Sequence, residues 1–242
     1  MASFMQPDSD QELDPTGTAA WEAPQHGFSG ERPSLAAARV PAAVTVAISR
    51  EAGARGGSIG RRVGRKLGWS VYHQELLDYM VQETTLREGM TDDLAPEAAA
   101  WAEARLQQLL REQSLSQHPS IITLARLVLT LGAKGEAVLV GRGAGCILPT
   151  ETTLHVRIVA PLADRVHYMS QWSRQTIEEA AEQVRLRDSH RATFIASHFH
   201  RQPGDVHQYD MVLNSSLLGE ELCADIIVKA VRARAPLRPA KP

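Results

Sequence analysis

The chain has 242 residues, 43% hydrophobic and 22% charged, the profile of an ordinary globular protein large enough for one α/β domain and a tail. No apolar run reaches the roughly 18 residues of a membrane span and the N-terminus has no apolar signal core, so the sequence predicts a cytoplasmic protein with no membrane contact. The net charge of -2 is uneven: six acids face Arg32 and Arg39 in residues 1–40, and the mildly basic remainder suits phosphate ligands rather than a long nucleic-acid track.

Taken in chain order, residues 1–40 are rich in Pro, Gly, Ser and acids and show no period of 2 or 3.6, which predicts a disordered tail. A domain is expected over 41–234, with a flexible tail over 235–242. The run Val44-Thr45-Val46-Ala47-Ile48 reads as a buried parallel strand. A Gly-rich turn follows, then Ile59, Val63 and Leu67 at helical spacing, with Gly68 as the stop. Leu106, Leu109 and Leu110 share one helix, and 121–131 is a nearly all-apolar, buried one. Further strands are expected at 137–140, 154–159 and 211–213, with helices at 174–191 and 220–231. Cys146 and Cys223 sit among apolar residues and read as buried free thiols. Strands alternating with helices predict a parallel sheet whose ligands gather at the carboxyl ends of the strands.

At the first such end lies Ser49-Arg50-Glu51-Ala52-Gly53-Ala54-Arg55-Gly56-Gly57-Ser58-Ile59. Strand, Gly-rich loop and helix together form the context of a phosphate loop, in which backbone N–H groups and the helix N-terminus face an anion. The pattern G-x-x-x-x-G-K-[ST] is met only in part. Gly53 and Gly57 are in place, Gly56 stands where lysine is usual, and Arg55 is the candidate for the missing charge. Ser58 is a candidate either to cap the helix or to bind magnesium. Candidate nucleotide contacts are Gly53, Ala54, Arg55, Gly56, Gly57, Ser58 and Ile59. The bland alternative is a strand-to-helix turn without ligand.

Five segments in order resemble the cytidylate kinase-like family, a divergent bacterial branch of the nucleoside-monophosphate kinases. They are Ile48-Ser49-Arg50-Glu51-Ala52-Gly53, the loop Gly53-Ala54-Arg55-Gly56-Gly57, Gly141-Arg142-Gly143-Ala144, Asp188-Ser189-His190-Arg191 and Tyr209-Asp210-Met211-Val212-Leu213-Asn214-Ser215. The resemblance spans about residues 44–231. It implies a P-loop NTPase-type α/β fold, a parallel sheet flanked by helices with a helical insertion and a lid segment. It also implies ATP with Mg2+ as donor and a nucleoside monophosphate as acceptor. In cytidylate kinases a G-R-D turn holds the acceptor phosphate through its Arg and helps read the base through its Asp. Here Arg142 matches and Gly143 replaces the Asp. The family's "YDKEL" is Tyr72-His73-Gln74-Glu75-Leu76. Both departures argue against cytosine selectivity.

Phosphoryl transfer needs in-line positioning and positive charge, which arginine forks supply to phosphate oxygens. The candidate catalytic residues are Arg55, Arg142, Arg187 and Arg191, with Arg165 and Arg185 as further cationic sources. The alternative for Arg185, Arg187 and Arg191 is a solvated helix face paired with Glu178, Glu179 and Glu182. Arg142, Asp188 and Glu75 are candidates for substrate binding, and Ser58 for the metal. Glu75 and Asp78 either face the acceptor or are simply exposed. His198, His200 and His207 read as part of a mobile lid, expected over 194–210, rather than a zinc site. The expected activity is ATP-dependent phosphoryl transfer to a nucleoside monophosphate or a similar small phosphate acceptor. The alternatives are a nucleotide-binding regulator that has lost transfer and a protein-interaction module.

Overall fold

The structure is a computed structural model that describes residues 43–83 and 94–234. The expected tails, 1–40 and 235–242, lie outside the described residues. β1 (Thr45–Arg50) forms where the apolar run predicts a strand, and α1 (Gly56–Leu67) follows, closed by Gly68 in the left-handed region. Next come β2 (Ser70–His73), α2 (Gln74–Gln82), α3 (Pro96–Arg111), α4 (Pro119–Lys134), β3 (Ala137–Val140) and the short α5 (Ala144–Ile147). The chain continues through β4 (Thr153–Val159), α6 (Leu162–Ser173), α7 (Ile177–Phe199), a 3-10 turn (Val206–Gln208), β5 (Met211–Asn214) and α8 (Ser215–Arg234).

The five strands are all parallel, in the order β2-β3-β1-β4-β5. Helices cover both faces, the P-loop NTPase-type architecture expected from the sequence. β2 is the strand the apolar pattern does not announce. It has four residues, stands at the sheet edge and is nowhere fully buried, so no hydrophobic run marks it. α1 and α8 pack on one face, against Val46, Ile48, Val138, Val140 and Val156. α2, α3 and α4 form the insertion and pack with α5 around Ala47, Leu139 and the end of α7.

Alternation along the strands gives the second face a polar strip. Between the buried Val156 and Ile158, β4 turns His155 and Arg157 the other way, and β1 adds Ser49 beside Arg157 in register. That strip is not filled by a helix and becomes the floor of the site.

α7 begins with a capping box. The Thr176 hydroxyl accepts from the Glu179 N–H, and the Thr176 N–H donates back to the Glu179 carboxylate. The helix runs past Arg191, where the sequence ends it, to Phe199, because Phe199 is 2% exposed and Phe194 meets it edge-on at 5.9 Å. Residues 194–199 of the expected lid are therefore packed helix. Only 200–210 form a loop, pinned where Gln208 donates to the Gln202 carbonyl and Tyr209 to the Pro203 carbonyl.

Candidate functional site

Arg50, the last residue of β1, leads into a loop whose conformation is fixed from outside. The Ala52 N–H donates to Asp188 Oδ1 at 2.7 Å, and the same carboxylate accepts from Arg165 Nη1 at 2.5 Å. Arg165 also donates to the carbonyls of Ala52 and Ala160, at 3.1 and 3.0 Å, and is 9% exposed. Three of its five N–H donors are thereby used inside the protein. Arg165 lines neither cavity described below, so the expectation that it supplies charge to a phosphate gives way to a scaffold role.

Arg55, in the left-handed region, is the N-cap of α1, and neither its side chain nor any acid in the first turn caps the helix. Ser58 lies inside the helix and does not act as its cap. The helix thus presents uncapped N–H groups and the positive end of its dipole to the loop. A cavity of about 220 Å3 opens there, lined by Gly53, Arg55, Gly56, Gly57, Ser58, Arg61, Tyr168, Trp172 and Arg187. Ala54 and Ile59 are fully buried in the core below, and the Ile59 N–H is used by the Arg55 carbonyl, so Ile59 offers a ligand nothing. The Arg55 guanidinium is turned onto α6. Its Cζ lies 5.0 Å over the Tyr168 ring.

Arg50, which the sequence pattern does not single out, flanks the Gly56 position. A Cβ on Gly56 would stand 2.6 Å from Arg50 Cβ, and one on Gly141 would stand 3.0 Å from Arg50 Cζ. Two glycines from different crossovers therefore leave the channel in which this guanidinium lies. Burial, together with Arg191 and Arg142, lowers Arg50 to about 10, with Glu75 acting in the opposite sense. Arg191 is lowered too, first by burial, while Asp188 at 3.8 Å opposes the shift. Like charges held together without full compensation favour an anion among them.

Beyond Arg50 a second cavity, of about 370 Å3, runs over the polar strip of the sheet. Ser49, Arg142, Arg157, His155, Phe194 and Tyr209 line it. Arg142 sits at φ 50, pairs with Asp78, lies 5.1 Å over the Phe194 ring and leaves its buried Nε without a partner. Arg157 donates to Ser49 Oγ at 2.9 Å and faces the Tyr209 ring at 5.7 Å. The residues 202–204 and 208–209 form the far wall. Arg50, Glu51 and Arg191 line both cavities.

The remaining sequence candidates divide. Arg187 lines the loop cavity, whereas Arg185 is exposed and pairs with Glu182, as a solvated helix face would. Asp188 lines the second cavity and also holds the loop, an engagement the D-x-x-R spacing alone does not disclose. Glu75 lines neither cavity, although its charge is felt by Arg50 and Arg191. Gly143 has φ 68, and a Cβ there would lie 2.6 Å from Phe199 Cζ. Phe199 occupies the space a side chain at 143 would need. Among the described residues no three His, Cys, Asp or Glu side chains gather as a metal cluster.

A profile of the cytidylate kinase-like family matches residues 45–217. A uronate isomerase of Corynebacterium glutamicum is 31% identical over 101 residues, which cover 41% of this chain and 20% of that protein, so the chain spans about a fifth of this relative's length. Among solved structures, an uncharacterized protein from Eubacterium ventriosum aligns with a TM-score of 0.55 at 17% identity, over 78% of this chain and 99% of the other. A shikimate kinase from Bacteroides thetaiotaomicron aligns with a TM-score of 0.41 at 13% identity, over 78% and 97%. With more than half of the chain matched by the family profile, from the phosphate-loop strand to the start of α8, this protein belongs to the cytidylate kinase-like family.

Proposed function

We propose that the protein transfers a phosphoryl group from a nucleoside triphosphate to a nucleoside monophosphate or a similar small phosphate acceptor. The observation that carries this reading is the shared wall of Arg50, Glu51 and Arg191 between the loop cavity and the second cavity. A donor in one and an acceptor in the other would meet at two guanidinium groups, where charge is spread in a loose phosphoryl-transfer transition state. Arg142, which lines the second cavity and is anchored through one Nη on Asp78, would hold the acceptor phosphate.

At the loop end of the first cavity the Ser58 hydroxyl is the oxygen on offer, since the Glu51 carboxylate already accepts from the Ala160 N–H and pairs with Arg165 and Arg157. One protein oxygen fits a magnesium ion bound mainly by phosphate oxygens and water, which would neutralise charge between the phosphates. Residues 200–210 would act as a cover over the acceptor that excludes water. Cytosine is not expected to be strongly preferred, because Gly143 supplies no carboxylate for its exocyclic amine and Phe199 fills the space.

A second reading, nucleotide binding without transfer, draws on Gly56 in the lysine position. One measurement separates the two: ADP release across a panel of monophosphates, alongside thermal stabilisation by ATP. Turnover with any acceptor supports transfer, stabilisation without turnover supports the second reading, and neither result would leave the loop as a plain turn.

A further inference from the structure

Beside the phosphate loop stand two aromatic rings to which phosphoryl transfer assigns no part. Tyr168 and Trp172 are four residues apart on α6 and share a face of that helix. Their rings are stacked, with centroids 6.1 Å apart and planes at 19°. On the inner side Arg55, the N-cap of α1, lies with Cζ 5.0 Å over Tyr168. Guanidinium, phenol and indole thus form a column that starts at the loop and leads outward. Trp172 ends it and is 70% exposed. Both rings line the cavity that Gly53, Gly56, Gly57 and Ser58 line.

Packing does not account for the outer ring. Tyr168 rests against the small core cluster of Ala52, Val166, Met169, Ala180 and Val184, and Trp172 is not part of it. A stacked column with one large open face, joined to an uncapped helix N-terminus, has the shape of a site for a molecule that is anionic at one end and flat at the other.

We propose that the outer face of Trp172 seats the base of the donor nucleoside triphosphate, with the phosphates against the Gly53–Ser58 backbone. This rests on the phosphate-loop reading above and extends it to the donor's base. The same surroundings set selectivity. Arg61, Ser173 and Arg187 also line the cavity; the arginines can only donate hydrogen bonds, and the serine hydroxyl both donates and accepts, so neither type singles out one purine. Both purines present ring-nitrogen acceptors, and every base has a π face. Recognition is therefore by stacking rather than by a base-specific acceptor, and adenine and guanine donors are held alike. Leu162, Ile177 and Leu186 are also exposed on α6 and α7, which would suit a second copy of the chain. The cationic rim of Arg55, Arg61 and Arg187 favours the nucleotide over an apolar partner.

The test is calorimetric binding of ATP, GTP and inorganic tripolyphosphate, each with magnesium, to the full chain and to its Trp172→Ala and Trp172→Phe variants. ATP and GTP should bind within about threefold of one another, Trp172→Ala should weaken both by roughly tenfold or more, and Trp172→Phe should keep most of the affinity. Tripolyphosphate should bind all three proteins equally. An unchanged ATP affinity in Trp172→Ala overturns the inference, and so does an equal loss for tripolyphosphate, because the ring would then be supporting the loop. Failure of the unaltered chain to bind either ATP or tripolyphosphate overturns the phosphate-loop reading itself. A dimer in sedimentation that Trp172→Ala dissociates assigns the ring to a partner copy and overturns the base.

Discussion

Arg50, Arg55 and Arg142 are all arginines beside glycine-rich turns, yet their surroundings give them different parts. Arg50 lies in a channel between Gly56 and Gly141 and opens on both cavities. Arg55 is turned onto Tyr168. Arg50→Ala is accordingly expected to lower kcat on the order of a thousandfold, as loss of a transition-state guanidinium does elsewhere, while Arg55→Ala weakens ATP binding only a few-fold and leaves the fold intact. Steady-state kinetics with ATP binding measured in parallel checks both, and equal effects on kcat would refute the distinction. Arg142→Ala should abolish turnover and leave the ATP affinity within about twofold, because it lines only the second cavity. Gly143→Asp, which restores the G-R-D turn of cytidylate kinases, is expected to destabilise by about 1–3 kcal/mol rather than to create cytosine preference. Its Cβ meets Phe199 and its φ of 68 is unfavourable to a side chain. Denaturant melting and a comparison of cytidine with uridine and adenosine monophosphates decide it.

The element that joins the two cavities is α7. It carries Arg187 to the loop cavity, Arg191 to the shared wall, and Asp188 to the loop's backbone, then ends in Phe199. Its ends should therefore matter differently. Thr176→Ala removes the capping box and is expected to cost about 1 kcal/mol with turnover retained. Phe199→Ala should cost about 3–5 kcal/mol and free the loop after it, since Phe199 is buried against the insertion. In the segment 200–210, amide exchange should slow when ATP and an acceptor are both present. Equal protection with and without them would remove the covering role.

For the whole molecule, the arginine cluster ties stability to anions. Arg50 is held at about 10, below its ordinary value, so carrying its charge in the folded state costs stability at every pH below that point. The cost is relieved as pH rises from about 10 towards the unfolded value, or when an anion lies against the cluster. Pyrophosphate or ATP at about a hundred times its Kd should stabilise the fold by about 2.7 kcal/mol, several degrees in Tm, and high salt should shrink the gain. A melting temperature indifferent to these anions would deny the cluster an anion-binding role. Removal of residues 1–40, which carry no apolar period, should leave that melting temperature within a degree or two. A larger loss would show that the segment docks on the domain.

The features that the sequence determines by itself are local ones. A β-branched run, a Gly-rich turn and apolar residues four apart specify β1, the loop and α1 with nothing else present, because each pattern acts over one or two turns of chain. The buried helix α4 and the strands β3, β4 and β5 are legible for the same reason. β2 is not, since its stability comes from pairing with β3 and not from its own four residues. Nor is the end of α7, which Phe199 extends by packing against a distant insertion. The site divides in the same way. That arginines would cluster near a glycine loop is readable from spacing, but their division of labour is not. Arg165 spends three of its donors on the carbonyls of Ala52 and Ala160 and on Asp188, while Arg50 keeps a channel because Gly141, far along the chain, has no Cβ. Only the folded sheet, which sets β3 beside β1 and brings α7 across their carboxyl ends, decides which charge is neutralised and which is left for a ligand.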